Sequence, residues 1–246
     1  MTVSVSIIIP VLNEAATIVS NLEALNALLA KRQTSAANLV AEVVVVAEII
    51  VVDGGSTDTT IEQARPFASQ LIEAPRSRAR QMNAGAKTST GEYLLFLHAD
   101  TRLPADFLSV VTSWQDPSTE PFSAIWGFFR VKLSGAAWPL RVVEVMMNWR
   151  SRLSGIGTGD QCLFVRREVF ERVGGFKDIP LMEDVELCQR LKTLAAPRCE
   201  TSKVETSSRK WEREGIVKTV LLMWRLRLAY FFGVAPEKLA RKYYRS

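Results

Sequence analysis

The sequence has few of the residues that build disulfide or metal frameworks. Its 246 residues include three cysteines and one histidine. Cys162, Cys188 and Cys199 are odd in number and lack the spacing of a zinc site, which is more typical of reduced thiols in a cytoplasmic protein than of a disulfide scaffold. We therefore do not expect a secreted, disulfide-held fold.

Long apolar runs and targeting signals are also missing. The N-terminal residues show no basic start or cleavage site, and the most apolar stretch, 217–234, is interrupted by Lys218, Arg225 and Arg227. A spanning helix needs about 20 apolar residues, so we expect a cytoplasmic protein. The net charge of +5 favours anionic ligands or an anionic membrane surface, but it falls short of a nucleic-acid-binding signature.

Glycine-rich nucleotide signatures are absent as well. G-x-G-x-x-G does not follow the first apolar run, which argues against a dinucleotide-binding dehydrogenase. The chain also lacks G-x-x-x-x-G-K-[ST], which argues against a P-loop enzyme. A nucleotidyltransferase of similar architecture would show a glycine-rich, lysine-containing signature there, which Pro10-Val-Leu-Asn-Glu14 does not provide.

Three acidic segments that follow apolar runs are the most informative feature present. They are Asp53-Gly-Gly-Ser-Thr-Asp58, His98-Ala-Asp100 and Glu183-Asp184. Carboxylates at the C-terminal ends of buried strands lie where open α/β sheets bind ligands. The β-α-β-α order of the first hundred residues predicts a Rossmann-like, mostly parallel sheet covered by helices. We predict an α/β fold with an irregular second half, in one domain spanning residues 1–246. In that second half, 122–133 are expected to form a pair of strands and 142–149 a short amphipathic helix.

The acidic side chains suit a nucleotide, a cation and a hydroxyl. Asp53 can accept hydrogen bonds from a ribose or a base, or it only closes its turn. His98 and Asp100 lie on one side of an extended segment and both suit Mn²⁺, although a lone histidine is more often structural. Asp184, beside Glu183, can act as a general base, or the pair only complements a helix N-terminus.

Basic and amphipathic segments add weaker signals. Arg78 can hold phosphates, or it belongs to a solvated helix face. Gly159-Asp-Gln161 can place polar groups near an acceptor, or it forms a plain turn. Residues 216–232 mix apolar and basic side chains and predict an amphipathic helix, which contacts a membrane or a partner, or closes the protein's own core.

Together these segments resemble the inverting family 2 glycosyltransferases of the GT-A fold. The resemblance rests on Ile7-Ile-Ile-Pro-Val-Leu-Asn-Glu14, Val51-Val-Asp-Gly-Gly-Ser-Thr-Asp-Thr59, His98-Ala-Asp100 and Glu183-Asp184. The pieces Arg78–Gly85, Gly159-Asp-Gln161 and Ser208-Arg-Lys-Trp-Glu212 are similar to a bacterial subgroup named as arsenosugar-biosynthesis-type or radical-enzyme-associated glycosyltransferases. The resemblance implies a nucleotide-sugar-binding half at 1–100 and an acceptor half at 101–246 that ends in the amphipathic helix.

The resemblance also implies a role for each matching residue. The donor nucleotide would be bound by Pro10, Asn13, Glu14, Asp53, Arg78, Asn83, Asp100 and Arg209. Asp160, Gln161 and Trp211 would lie on the acceptor side. Asp100, with His98 where the family usually has an aspartate, would bind Mg²⁺ or Mn²⁺. Asp184, with Glu183, would be catalytic as the general base.

The implied partners are a nucleoside-diphosphate sugar, in the first instance a UDP-sugar, and an acceptor that is a small molecule or a lipid. A peripheral contact with the inner face of the membrane is part of this prediction, and binding of nucleic acid is not. The alternatives are a non-catalytic sugar-nucleotide-binding or scaffold protein, and the nucleotidyltransferase.

Overall fold

The computed structural model describes residues 2–30, 44–114 and 125–244. Eight strands in these ranges form one mixed sheet in the order β3-β2-β1-β4-β7-β6-β8-β5. The strands are β1 (Thr2–Val11), β2 (Val44–Asp53), β3 (Gln70–Glu73), β4 (Tyr93–Phe96), β5 (Thr101–Arg102), β6 (Trp126–Leu133), β7 (Leu163–Arg166) and β8 (Arg198–Thr206).

Ten helices lie in the described ranges. They are α1 (Ile18–Ala30), α2 (Thr60–Ala64), α3 (Arg78–Thr88), α4 (Phe107–Ser113), α5 (Trp138–Ser154), α6 (Arg167–Arg172), α7 (Glu183–Lys192), α8 (Arg209–Glu214), α9 (Ile216–Phe231) and α10 (Pro236–Tyr243). A short 3₁₀ turn covers Gly159–Gln161. Within the described part of the chain, no helix is long and apolar enough to cross a membrane.

The first half of the chain builds the parallel part of the sheet. β1 pairs in parallel with β2 and β4, and β2 pairs in parallel with β3. β1 and β2 are rich in β-branched residues and buried on both faces, which is the usual pattern of a central parallel strand. The register sets Val11 beside Asp53 and Ile8 beside Phe96. The C-terminal ends of β1, β2 and β4 therefore lie at one edge.

The second half extends this sheet with mixed pairing. β7 runs antiparallel to β4 and β6, β8 runs parallel to β6, and β5 is antiparallel to β8. The predicted α/β fold with a largely parallel first half is confirmed. The division of one domain at residue 100 stays a prediction, although strands from both halves share the sheet.

One prediction about the second half was wrong, and another gave too short an element. We expected a pair of strands in 122–133, but 126–133 is the single strand β6, and 122–124 lie outside the described residues. The amphipathic helix expected at 142–149 is present, but as part of α5, which has 17 residues. Its apolar residues Val142, Val145 and Trp149 are exposed, so the apolar pattern that predicted the helix does not mark its buried face.

Apolar side chains pack on both faces of the sheet. Alternation along β1 sends Ile7 and Ile9 toward α1 and α4, and Ile8 toward α3, α6 and α7. On the first face, the rings of Trp114 and Phe164 stack with centroids 4.1 Å apart. These two layers fix the ends of the strands and the N-termini of α3 and α7, which carry the predicted site residues.

Candidate active site

A pocket lies where the N-termini of α3 and α7 meet the end of β4. It is small: its volume available to water-sized groups is about 10 Å³, within about 260 Å³ of empty space that includes open solvent. It is lined by Arg78, Met82, Phe96, His98, Gly159, Leu163, Phe176, Glu183 and Asp184. The fold therefore brings together side chains from three distant parts of the sequence that we predicted to act together.

Asp184 is held in one orientation in the first turn of α7. Its Oδ1 accepts the N–H of Val185 at 2.7 Å, and its Oδ2 accepts the N–H of Gly159 at 2.9 Å. A carboxylate has about four lone-pair positions, so both oxygens keep capacity for a further donor. Asp184 can accept a proton or a hydroxyl donor from the pocket without losing its backbone contacts.

Glu183 differs from its neighbour because it is buried, with 5% of the residue exposed. Burial and the charge of Asp184 raise the pKa of Glu183, and Arg78 acts in the opposite sense. The closest approach of Arg78 is 3.9 Å, from Nη1 to Oε1 of Glu183, and about half of the Arg78 side chain is exposed. Partial burial lowers the pKa of Arg78, but the negative charges of Glu183, Asp160 and Asp184 raise it by more. Arg78 is therefore a cation in this pocket.

His98 packs against the 3₁₀ turn. Its Nδ1 lies 3.3 Å from Oδ1 of Asp160. Burial opposes ionisation of Asp160, but the hydrogen bond and charge of His98, with help from Arg78, lower the pKa of Asp160 below its ordinary value. A Cβ at Gly159 would stand 2.3 Å from Nε2 of His98, so this close approach requires glycine. The imidazole is thus positioned by the turn that also binds Asp184.

Glu14, Asp100 and Arg209 form a charged group at the ends of β1 and β4. Burial raises the pKa of Glu14, Asp100 raises it further, and Arg209 and His98 lower it. Arg209 is exposed at the start of α8, where its Nε donates to Oγ of Ser207 at 3.0 Å. These residues, predicted to lie on the donor side, come from both halves of the chain and lie close enough to influence one another's charge.

The carboxylate oxygens at this edge suit a divalent cation whose remaining ligands are substrate phosphates. Mg²⁺ is usually held by one or two carboxylates together with phosphates rather than by a cage of protein ligands. Among the described residues, no group of three His, Cys, Asp or Glu is close enough to hold a metal. Burial is the main cause of the raised pKa of Glu14, and repulsion by the charge of Asp100 adds to it; a nearby cation would relieve that repulsion.

The turn after β2 is closed by its own polar groups. Oδ1 of Asn13, whose φ is 54°, accepts the N–H of Thr57 at 2.8 Å. The buried Asp53 carboxylate accepts the N–H groups of Gly55 and Ser56 and the hydroxyl of Ser56. Asp58 likewise accepts the N–H and hydroxyl of Thr60. A nucleoside could bind Asp53 only in exchange for one of these bonds, so its donor role stays a prediction.

Other predicted site residues lie away from the pocket or serve the frame. Asn83 exchanges two hydrogen bonds with the backbone of Phe176, at 2.8 and 2.9 Å. Gln161 is fully buried, and its amide bonds to Ser151, Thr158 and the carbonyl of Phe129. Trp211 packs beside Leu133, Leu140 and Val143, and Pro10 lies within β1. In this structure Asn83 and Gln161 position neighbouring segments rather than face a ligand.

Two arginines that no motif predicts lie near Asp184. Burial lowers the pKa of Arg150, and the charge of Arg227 lowers it further, to about 10, while Asp184 and Asp160 oppose this. Burial also lowers the pKa of Arg227, and Asp184 again opposes the shift. For Arg227 the only sequence signal is a basic residue inside an apolar stretch, which we interpret from the sequence as an interruption; for Arg150 we found no signal.

A comparison with protein families decides among the predicted classes. Residues 6–174 match the model described as Glycosyl transferase family 2. The chain belongs to glycosyltransferase family 2. Among its curated relatives is a PGL/p-HBAD biosynthesis glycosyltransferase of Mycobacterium tuberculosis, 30% identical over 179 residues that make up 70% of this chain. The match spans 62% of that relative, and the counterpart from Mycobacterium bovis matches equally.

Solved glycosyltransferase structures share the fold. The mannosyltransferase PcManGT from Pyrobaculum calidifontis, in complex with GDP-Man and Mn²⁺, has a TM-score of 0.60 and 22% identity, covering 96% of this chain and 68% of its own. Staphylococcus aureus TarS 1–349 with UDP-GlcNAc has a TM-score of 0.57 and 18% identity, covering 83% and 58%. The predicted GT-A fold of this family 2 member is thereby confirmed.

Proposed function

We propose that this family 2 member is an inverting glycosyltransferase that moves a sugar from a nucleoside-diphosphate sugar to an acceptor hydroxyl, with Asp184 as the general base. The observation that carries the proposal is the pocket that joins Arg78, His98 and Asp184 at the ends of the parallel strands. Ligands of open α/β sheets bind at this edge.

The general-base role follows from how Asp184 is held. Its two backbone hydrogen bonds fix the carboxylate at the pocket wall and leave acceptor capacity for one hydroxyl proton. In the reaction, the hydroxyl oxygen bonds to the anomeric carbon as its proton moves to Asp184, and the bond to the leaving nucleoside diphosphate breaks on the opposite face. The sugar therefore changes its anomeric configuration.

The donor side is proposed to bind the nucleoside diphosphate through Arg78, Arg209, Glu14 and Asn13. Asp100, assisted by His98, would hold Mg²⁺ or Mn²⁺, which supplies positive charge to the diphosphate. The solved structures with the same fold support this part, because PcManGT is in complex with GDP-Man and Mn²⁺, and TarS with UDP-GlcNAc. We propose a UDP-sugar first. Membership of the arsenosugar-type subgroup stays a prediction.

A peripheral membrane contact is also proposed. α5 and α9 pack against each other, and both expose apolar side chains that include Trp149, 67% exposed, and Trp224, 56% exposed. Lys218 and Arg225 lie on the same helix as Trp224. Apolar side chains flanked by cations suit an anionic lipid surface, and a location at the inner face of the membrane stays a prediction.

Calorimetric titration and transfer assays of matched variants test the enzyme. UDP, GDP and their sugar conjugates are titrated with and without Mn²⁺ into the wild type, Asp100→Ala and Asp184→Asn. We expect Mn²⁺-dependent binding of one nucleotide that Asp100→Ala weakens. Asp184→Asn should bind the donor within about twofold of the wild type but lose roughly 10²- to 10⁴-fold in transfer rate, the usual contribution of a general base.

The control is Asp106→Asn, which removes an exposed carboxylate at the start of α4. It should leave both donor binding and transfer unchanged. Transfer that survives Asp184→Asn would show that another group is the base. If the folded wild type bound no nucleotide, the non-catalytic scaffold would be the better hypothesis.

A further inference from the structure

Arg150 of α5 and Arg227 of α9 are partly buried cations without a counter-ion. Nε of Arg150 and Nη1 of Arg227 are buried and have no hydrogen-bond partner among the described residues. In the same part of the chain, neither guanidinium makes an ion pair within 4.0 Å. Buried donors in native proteins are normally satisfied, so each unsatisfied donor calls for a partner such as a water, an ion or a ligand.

Hydrogen bonds connect Arg150 to the turn that holds the base. Its Nη2 donates to Oγ of Ser151 at 2.9 Å, and that hydroxyl donates to Oε1 of Gln161 at 2.6 Å. Gln161 ends the 3₁₀ turn whose Gly159 N–H binds Asp184. Arg150 is therefore connected to this turn by two hydrogen bonds.

Arg227 reaches the same place from the opposite helix. The preceding residue, Leu226, is buried in a cluster with Met182 and Val185, which flank the acidic pair. This packing sets Arg227 next to the N-terminus of α7. The charges of Arg227 and Asp184 act on Arg150, and the charge of Asp184 acts on Arg227, which agrees with this placement.

The single carboxylate of Asp184 cannot neutralise the charges of both Arg150 and Arg227. Asp184 already binds two backbone N–H groups, and two desolvated guanidinium groups near each other repel. Proteins keep such destabilising arrangements mainly where they serve a ligand. The missing component is an oxyanion, because guanidinium forks match phosphate and carboxylate groups.

We propose that Arg150 and Arg227 bind a phosphate or carboxylate group carried by the acceptor, beside the hydroxyl that Asp184 deprotonates. This inference rests on the proposed function and adds the chemical class of the acceptor, which is anionic. The donor diphosphate is the other source of such a group. We assign the acceptor because Arg150 is linked through Ser151 and Gln161 to the turn that binds the proposed base. Arg209, by contrast, acts on Glu14 near Asp100, on the proposed donor side.

Titration of inorganic phosphate and of acetate tests the site. Each is titrated into the full chain in the presence of UDP and Mn²⁺, for the wild type, Arg150→Gln, Arg227→Gln and the control Arg152→Gln. Arg152 is exposed and lies two positions beyond Arg150 on α5, so its substitution removes the same charge from the same helix. We expect at least about tenfold weaker anion binding in the first two variants, as for a lost charge-assisted bond, and less than twofold change in the control.

Two further measurements separate this role from others. UDP affinity should stay within twofold in all variants, and the ligand-free Tm of Arg150→Gln and Arg227→Gln should equal or exceed that of the wild type, since each removes an unpaired charge. A parallel loss of UDP affinity would assign the arginines to the donor diphosphate and overturn the proposal. So would a large fall in Tm, or wild type that binds neither anion. Failure of UDP itself to bind would instead contradict the proposed function.

Discussion

Glu183 and Asp184 are adjacent carboxylates that the fold treats differently. Glu183 is buried beside Arg78, and burial with the charge of Asp184 raises its pKa. Asp184 is bound by two backbone N–H groups at the pocket wall. At the residue scale, this difference separates the proposed base from a neighbour whose charged form is disfavoured. The difference also has a consequence for stability.

We expect Glu183→Gln to gain stability over the wild type as pH rises. A carboxyl with a raised folded-state pKa contributes stability below its unfolded value, near 4.5, and that stability is lost as pH rises through the folded pKa. Glutamine does not ionise, so the variant does not lose stability as the pH rises. Its Tm should therefore exceed that of the wild type by a few degrees at pH 8 and by little at pH 4.5. Thermal unfolding across this range provides the measurement.

Glu186→Gln, on the same helix, is the control with the opposite sign. Burial opposes ionisation of Glu186, but Arg190 and Lys177, whose Nζ lies 2.6 Å away, lower its pKa. Its contribution to stability is present above the unfolded pKa and lost as pH falls. Glu186→Gln should therefore lower Tm at pH 8 and less at acidic pH. Equal pH profiles for both variants would contradict the assignment for Glu183.

The sequence indicated some site residues correctly as neighbours and gave no sign of others. Arg78, His98 and Asp184 meet in the pocket because each follows a recognisable signal at a strand end or helix start. Gln161 matched a motif, yet it is buried, since a motif does not say which way a side chain turns. Arg150 and Arg227 were missed because their environment depends on helix packing across distant parts of the chain.

At the scale of elements, close contact between β6 and β8 depends on Gly127. A Cβ at this position would stand 2.1 Å from the carbonyl oxygen of Arg198 and 2.5 Å from Cζ of Phe164. The backbone carbonyl of Arg198 cannot move aside as a flexible side chain can. We expect Gly127→Ala to lower the free energy of unfolding by about 3 kcal/mol or more, as overpacking against fixed atoms does.

Urea unfolding of Gly127→Ala and of Lys132→Ala provides the comparison. Lys132 lies in the same strand, half exposed, and its ion pair with Glu205 is at the surface. The lysine variant should lose less than about 1 kcal/mol. Similar losses in the two variants would mean that β6 and β8 can separate without much cost.

The elements of the first half were predictable because β1 and β2 are continuous apolar runs and the turns between elements carry Gly, Pro, Ser or Asp. β8 was not predicted, since Arg198-Cys-Glu-Thr-Ser-Lys-Val-Glu-Thr206 is mostly polar and gains its strand form by pairing with β6. Its buried residues alternate weakly, and such a strand depends on tertiary context more than on propensity.

At the scale of the molecule, the apolar surface of α5 and α9 is the most distinctive exterior feature. The exposed apolar residues are Trp138, Val142, Val145, Trp149 and Leu153 on α5, and Val217, Leu221, Trp224, Leu228 and Phe231 on α9. Those on α9 recur at spacings of three and four, which places them on one helix face. Contiguous apolar surface of this kind marks an interaction site.

We expect Trp149→Ser/Trp224→Ser to weaken binding to anionic vesicles several-fold. Both indoles are more than half exposed, so their loss should change vesicle affinity without unfolding the protein. Co-sedimentation with phosphatidylglycerol vesicles measures it. Leu194→Ser, an exposed apolar residue after α7, is the control. Unchanged sedimentation of the double variant would show that this surface serves a different partner.

The pairing of β5 with β8 bears on how the protein is made. Asp100 directly precedes β5, whose residue Thr101 pairs with Thr206 of β8. On the ribosome, β1 to β4 emerge early, but the strand that anchors the Asp100 turn follows only after residue 206 has been translated. A nascent chain can assemble the parallel strands while the proposed donor edge is still incomplete, so the proposed nucleotide site can be complete only late in synthesis.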